Sequence, residues 1–236
     1  MTTVLCEDWN RRYATPEFIW SREASSVLVA EASGLAPGRA LDLAAGEGRN
    51  SIWLAEHGWQ VDAVDFAAAG VEKGQQWAQA RQVAGRIRFE VADLRQYSMA
   101  RGRYDLVLIC YLHLPWHELQ PILARAAGAV APGGTLLLLG HDRSNLLHGH
   151  GGPQNPAVLY AAAEVAAAVG DSLRIVKAGR IERPVHTVQG ARIALDCMVC
   201  AQSAQTMRRP PRDSCALADT YPLNATGWGS GGWPWI

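Results

Sequence analysis

The sequence predicts a doubly wound α/β fold, with a mostly parallel seven-stranded sheet that ends in an antiparallel edge hairpin. Three observations predict it. Short apolar runs alternate with helix-length segments between residues 39 and 169, which is the pattern of parallel strands joined by crossover helices. The first such run is followed at once by a tight glycine-bearing turn, Gly46-Glu-Gly48, and the next run ends on Asp65, nineteen residues after Gly46. An open α/β sheet places a ribose-binding carboxylate there. The last two apolar runs have no helix between them and so pair as a hairpin.

Each element follows from local signals. Ser21 is the predicted cap of a helix running to about Ser33, with Gly34 as its stop. Arg39 to Ala44 forms the first strand, Asn50 to His57 a helix closed by Gly58, and Gln60 to Asp65 the second strand. A long helix spans Ala67 to Ala84 and ends at Gly85; Arg86 to Val91 is the third strand. Tyr104 to Cys110 is almost wholly apolar, as a strand covered on both faces must be. His117 to Val130 is a helix, Pro132-Gly133-Gly134 a turn, and Thr135 to Gly140 the fifth strand. A Gly/His/Pro/Asn loop covers His141 to Pro156, a helix spans Ala157 to Val169, and Leu173 to Glu182 and Ala191 to Ala201 are the closing strands. Parallel connections in such a sheet are right-handed.

At 236 residues the chain suits one α/β domain with small additions, and 49% hydrophobic against 19% charged residues can bury a sizeable core. Residues 1–203 are assigned to that domain, with 1–38 as an N-terminal cap and first helix. Residues 204–236 read as a Pro/Gly/Trp-containing tail outside the core, poorly ordered, with Trp228, Trp233 and Trp235 in it. The formal net charge is zero, without the clustered basic charge of a nucleic-acid footprint. No apolar run reaches the length of a membrane span, and the polar start, Met1 to Arg12, lacks a signal-peptide pattern. A cytoplasmic protein with its five cysteines reduced is expected. The oligomeric state is not legible.

The turn after the first strand admits two nucleotide ligands. A dinucleotide fingerprint asks for a glycine three residues after Gly48, where Ser51 stands. It also holds a pyrophosphate, which Asp42 and Glu47 would repel; those carboxylates suit a ligand carrying an ammonium and a sulfonium.

Leu41-Asp-Leu-Ala-Ala-Gly-Glu-Gly-Arg-Asn50 resembles motif I of the class I S-adenosylmethionine-dependent methyltransferases. Val64-Asp65-Phe66, Val91-Ala-Asp93-Leu94, the Tyr104–Cys110 strand and the Pro-Gly-Gly turn are similar to the family's later motifs, in order, so that the resemblance covers roughly residues 5 to 202. It implies the family's Rossmann-like fold, S-adenosyl-L-methionine as cofactor, and methyl transfer as activity. It further implies that backbone at Ala44 to Gly46, with Gly48 completing the turn, lies along the methionine portion while Asp42 holds its ammonium. By the same resemblance Asp65 accepts the ribose hydroxyls, Phe66 packs on adenine, Asp93 and the Leu94 amide meet the adenine edge, and Cys110 and Tyr111 flank the sulfonium. One departure is Ala44, where the family has glycine; a positive φ there would cost about 1 kcal/mol.

Trp9-Asn-Arg-Arg-Tyr13, Phe18-Ile-Trp20 and Trp53-Leu-Ala55 look similar to the tellurite-resistance and thiopurine methyltransferase group. That likeness implies a small-molecule acceptor, with a thiol or other soft nucleophile as a candidate, and an N-terminal segment closing over the cofactor through Tyr13 and Trp20. Packing of these aromatics on the sheet is the alternative. Acceptor groups belong on loops at the carboxyl ends of the strands. There His113 and His141 are candidates for a base or clamp, and Arg143 for holding an anion, against loop-anchoring roles for each. Cys197-Met-Val-Cys200 has metal-pair spacing, but residues three apart on a strand face opposite ways; His148-Gly-His150 offers only two imidazoles, so no metal is expected. A non-catalytic S-adenosylmethionine sensor or scaffold remains an alternative, and a nicotinamide-dependent oxidoreductase a further one.

Overall fold

The structure, a computed structural model, describes residues 2–188 and 190–204. The tail expected at 204–236, with its tryptophans, lies outside the described residues except for Ala204. Seven strands form one sheet in the order β3-β2-β1-β4-β5-β7-β6. They are β1 (Arg39–Leu43), β2 (Gln60–Asp65), β3 (Ile87–Val91), β4 (Tyr104–Cys110), β5 (Val130–His141), β6 (Arg174–Thr187) and β7 (Gly190–Gln202). The first five pair in parallel, and β7 runs antiparallel to both β5 and β6, which makes the expected edge hairpin.

Strand alternation splits the core into two layers. On β4, Val107 and Ile109 face a layer with Leu119, Ile122 and Leu123 of α5 (Trp116–Ala129) and Val165 and Val169 of α7 (Ala162–Gly170). Leu106, Leu108 and Cys110 face the other layer, with Leu28 of α2 (Ser26–Ala32), Ile52 and Leu54 of α3 (Arg49–Glu56) and Ala78 of α4 (Ala68–Ala80). Burial on both faces is why this strand is nearly continuous apolar sequence. Cys197 and Cys200 fall in opposite layers, as their odd spacing on a strand requires.

Several local expectations are corrected. An unanticipated helix, α1 (Thr2–Tyr13), precedes the rest. Ser21 caps no helix: its Oγ accepts from Glu23 N–H in a turn, and α2 begins at Ser26, where the Ser25 N–H is held by Asn50 Oδ1 at 3.0 Å. α4 stops at Ala80, and Gly85 lies in a short 3-10 turn. β5 begins at Val130, so Pro132-Gly133-Gly134 sits within the strand as an irregularity, with pairing moving from Tyr104↔Val130 to Leu106↔Thr135. The segment after β5 contains α6 (Asn145–His148), and α7 starts only at Ala162, because Tyr160 is spent on a bridge to Asp142.

Candidate functional site

The turn after β1 is built around two buried carboxylates. Ala44 has φ 62°, Gly46 φ 55° and Gly48 φ 80°, so the backbone reverses through left-handed conformations before α3 starts. Asp65, 5% exposed at the end of β2, accepts the Gly46 N–H at 2.8 Å and the Ala67 N–H at 2.9 Å. It thereby ties the turn to the start of α4. Burial pushes its carboxyl above the usual range despite those amides. Asp42 is fully buried; Ser51 Oγ donates to its Oδ2 at 2.6 Å, while Oδ1 has no partner among the described residues. Burial, only partly offset by Ser51, raises its pKa to about 7.

The N-terminal segment is fastened over this turn. The Cys6 thiol donates to the Phe66 carbonyl at 3.2 Å, and Asn10 Oδ1 accepts the Ala69 N–H at 3.0 Å, satisfying one of the unpaired amides in the first turn of α4. Tyr13 is 5% exposed and sits against Gly46 and Gly70; a Cβ on Gly46 would lie 2.8 Å from its hydroxyl oxygen. Burial first, and the nearby Asp65 second, push the Tyr13 phenol up. Trp20 donates from Nε1 to the Tyr13 oxygen at 3.4 Å and is half exposed. Glu47, read from the sequence as a ligand-facing carboxylate, instead anchors this segment. It accepts from Ile19 N–H at 3.2 Å and Trp20 N–H at 3.4 Å, and pairs with Lys73 Nζ at 2.9 Å.

The predicted adenine-side residues lie at the ends of β2 and β3. Phe66 is partly buried, Leu94 is buried, and the Leu94 carbonyl accepts from Arg125 at 2.5 Å. Asp93 is committed to Arg95 by hydrogen bonds of 2.8–3.1 Å, and Arg95 reaches on to Glu118 at 3.0 Å. The hydrogen bonds from Arg95 hold the Asp93 carboxyl below its usual value.

The ends of β4, β5 and β7 carry a second polar cluster. Cys110 is buried, and its thiol is pushed up by desolvation. Tyr111 follows with φ 58° and donates its hydroxyl to Asp196 Oδ2 at 2.8 Å. His141 Nδ1 lies 3.1 Å from Asp196 Oδ1, and Arg183 Nε lies 2.5 Å from Asp196 Oδ2. Burial would raise the Asp196 carboxyl, but the nearby His141 ring and the hydrogen bonds from Arg183 and Tyr111 outweigh it and its pKa is lowered; His141 Nδ1, though close, makes no aligned hydrogen bond. The His113 ring stacks on His141 with centroids 5.4 Å apart. Its Nδ1 meets the Val158 carbonyl at 3.1 Å, and its Nε2 accepts the His141 N–H at 3.4 Å. Both nitrogens are therefore spent. Burial, with His141 beside it, lowers its pKa to about 4, so His113 is a neutral support rather than a base. Arg143, expected to hold an anion, is exposed and pairs with Glu164 at 2.8 Å. His148 and His150 are both exposed. Asp196 and Arg183 were missed from the sequence; the strand register that pairs His141 with Asp196 is the only signal that brings them together.

Comparison with known proteins places this geometry. Residues 40–134 match the family model described as a methyltransferase domain. The ribosomal RNA small subunit methyltransferase C of Alcanivorax borkumensis is 33% identical over 111 residues, covering 44% of this chain and 32% of that protein. The chain spans about a third of the length of the first two curated relatives it matches. A solved structure described as "Conversion of a Disulfide Bond into a Thioacetal Group during Echinomycin Biosynthesis" superposes with TM-score 0.68 at 18% identity, covering 85% of this chain and 93% of that one. TehB from Haemophilus influenzae superposes with TM-score 0.65 at 17% identity, covering 84% and 67%. Residues 40–134 thus match a methyltransferase domain, and the chain has the fold of solved structures described as S-adenosylmethionine-dependent methyltransferases.

Proposed function

We propose that the protein transfers a methyl group from S-adenosylmethionine to a small-molecule acceptor at the carboxyl ends of β4 and β5, beside Asp196 of β7. The observation that carries this reading is Asp42 Oδ1, a fully buried carboxylate oxygen without a partner among the described residues. Such an atom is costly unless a cation or donor satisfies it. S-adenosylmethionine carries an ammonium and a sulfonium, whereas a dinucleotide would bring a pyrophosphate toward Asp42 and Asp65. The donor set therefore fits the methyl donor better than a nicotinamide dinucleotide.

Asp42 would take the ammonium, and backbone at Ala44 to Gly46 would lie along the methionine portion. Asp65 keeps lone pairs free beyond its two amide bonds and would accept the ribose hydroxyls. Phe66 and the Leu94 amide would border adenine, with Asp93 sharing its carboxylate between adenine and Arg95. Tyr13 and Trp20 would close over the ligand, held in place through Glu47. When bound, S-adenosylmethionine supplies a methyl group on a sulfonium. This chain's residues then orient the acceptor and exclude water, which is most of what an in-line displacement needs.

We further assign residues 1–203 to the methyltransferase domain and place the protein in the cytoplasm. The four described cysteines are free, and no described helix is long and apolar enough to cross a membrane. An RNA acceptor is the second reading, favoured by the identity to a ribosomal RNA methyltransferase.

Thermal denaturation with S-adenosylmethionine, S-adenosylhomocysteine and NAD tests the cofactor. A ligand at about 100 times its Kd stabilises by roughly 2.7 kcal/mol, and Asp65→Ala should lose most of that. Stabilisation by NAD alone overturns the reading. Radiolabelled methyl transfer into phenols and thiols but not into ribosomal RNA supports a small acceptor; the reverse pattern favours RNA.

A further inference from the structure

We infer that His141 is the general base of this site, oriented by Asp196, and that the acceptor is a hydroxyl compound of the phenol class. This rests on the methyl-transfer reading above. Four groups meet at one point from three strands. His141 closes β5, Asp196 lies opposite it on β7, Arg183 comes from β6, and Tyr111 follows β4. The Asp196 side chain is 1% exposed. It has one oxygen toward His141 Nδ1, and the other takes Arg183 and the Tyr111 hydroxyl. Nδ1 is buried without an aligned hydrogen bond, and the Asp196 carboxylate lies 3.1 Å from it, so a proton is favoured on that nitrogen and Nε2 is left as the acceptor. Nε2 has no partner among the described residues, whereas both ring nitrogens of neighbouring His113 are spent.

The titratable and charged groups facing the imidazole are Tyr111 and His113 from the exit of β4, Asp196 from β7 and Arg183 from β6. The Gly152 backbone packs against the ring, because a Cβ there would lie 2.7 Å from His141 Cδ2. Burial and the Asp196 charge push the Tyr111 phenol up, so it stays a hydrogen-bond donor.

A base of this kind discriminates between acceptor classes. A thiol is partly ionised near neutral pH and needs no proton removed by the protein. An oxyanion would need a cation free at the His141 ring, but Arg143 is on Glu164, Arg183 is on Asp196 and Arg180 is turned to Ser144 Oγ. A phenolic hydroxyl must lose its proton as it reacts. The acceptor oxygen bonds to the methyl carbon, the methyl–sulfur bond breaks with its electron pair left on sulfur, and the hydroxyl proton passes to Nε2. That proton then leaves to solvent, with Asp196 stabilising the imidazolium meanwhile. Asp196 is thus a positioning residue.

The first test needs no turnover. The ring nitrogens of His141, assigned by their loss in His141→Gln, are read by 15N NMR in the wild type and in Asp196→Asn. The tautomer protonated on Nδ1 should dominate in the wild type and lose that preference in Asp196→Asn; the same tautomer in both overturns the pairing. The second test compares methylation of unsubstituted catechol, whose hydroxyl is protonated at neutral pH, with that of thiophenol. His141→Gln should lose about 100-fold or more in kcat on the catechol with KM little changed, and Asp196→Asn about tenfold. Transfer to the thiol alone, or to neither probe while S-adenosylhomocysteine still binds, overturns the acceptor class. Absence of S-adenosylhomocysteine binding by the wild type would instead sink the methyl-transfer reading and leave the His141 tautomer result to stand by itself.

Discussion

Asp42→Asn should stabilise the ligand-free protein at alkaline pH. The wild-type carboxyl titrates at about 7 in the folded state because it is fully buried, against an ordinary 3.8. The folded form therefore holds a proton that the unfolded chain releases between about pH 4 and pH 7. The stabilising contribution is complete below pH 4 and is lost as pH rises to about 7. A difference of about 3 pH units corresponds to about 4 kcal/mol, an upper bound because the surroundings relax around the charge. Asparagine mimics the protonated acid: its carbonyl can still accept from Ser51 Oγ, and its extra donor replaces the equally unpaired O–H of the acid. The variant should match wild type near pH 4.5 and exceed it at pH 8, by roughly 10 °C in melting temperature at the upper bound. His113 titrates in the opposite sense, since its folded pKa of about 4 is below the ordinary 6.5. Its stabilising share is lost as pH falls through that interval. Subtracting the variant's stability curve from the wild type's removes it. Urea denaturation at half-unit pH steps gives both curves. A flat difference between pH 4.5 and 8, or a variant less stable at pH 8, would falsify the account of Asp42 as an uncompensated buried charge.

Three further substitutions probe the surrounding frame. Ala44→Gly relieves φ 62° at a residue with a Cβ, so it should add about 1 kcal/mol in urea unfolding; a loss would mean that the Ala44 methyl packs better than the strain costs. Glu47→Ala leaves Lys73 with only the Glu17 carbonyl at 2.6 Å and frees the Ile19 and Trp20 amides, at about 2 kcal/mol. The double change Glu47→Met with Lys73→Met should cost less than the two single changes added, whereas strict additivity would argue against a coupled pair. Gly152→Ala places a Cβ 2.7 Å from the His141 ring at φ 76°, so it should lower the melting temperature by several degrees. In that variant the His141 resonance should shift while S-adenosylhomocysteine affinity holds; an unmoved resonance would place the loop away from the ring.

The seven strands and the turn after β1 were legible because their signals are local. Apolar runs, glycines and strand-end carboxylates each occupy a few consecutive residues. What was missed depends on contacts distant in sequence. Helix α1 has a polar sequence with no capping signature, and it is fixed by Cys6 and Asn10 reaching the Phe66 carbonyl and the Ala69 amide. Glu47 looked like a ligand carboxylate because it stands between two glycines, but its side chain turns toward the 19–20 backbone and Lys73. Asp196 sits in an unremarkable apolar run, and only the antiparallel register opposite His141 gives it a role. Arg143 and His113 were placed correctly after their strands. Their partners, Glu164 and Val158, come from segments whose approach no local pattern announces.

The same physics separates the carboxylates into two kinds and leads to a prediction about binding. Asp196 has its charge balanced within the fold by Arg183, with His141 close by and Tyr111 adding a hydrogen bond, and its pKa is lowered. Asp42 and Asp65 are raised by burial, with no ion pair to either among the described residues and the nearby Arg49 as the cation that opposes burial at Asp42. A fold that leaves two buried carboxylates uncompensated on neighbouring strands is set up for a cationic ligand to complete the balance. If an ammonium does so at Asp42, binding must expel the proton that this residue holds below about pH 7. By linkage, S-adenosylhomocysteine affinity should then rise up to about tenfold per pH unit between roughly pH 5 and 7 and level off above. Calorimetry at pH 6 in two buffers of different ionisation enthalpy should register release of up to about one proton per ligand. Asp42→Asn should bind more weakly at pH 8 and show neither the slope nor the proton release. Wild-type affinity independent of pH across this range would leave Asp42 as a partner for Ser51 alone, and the ammonium would have to be held elsewhere.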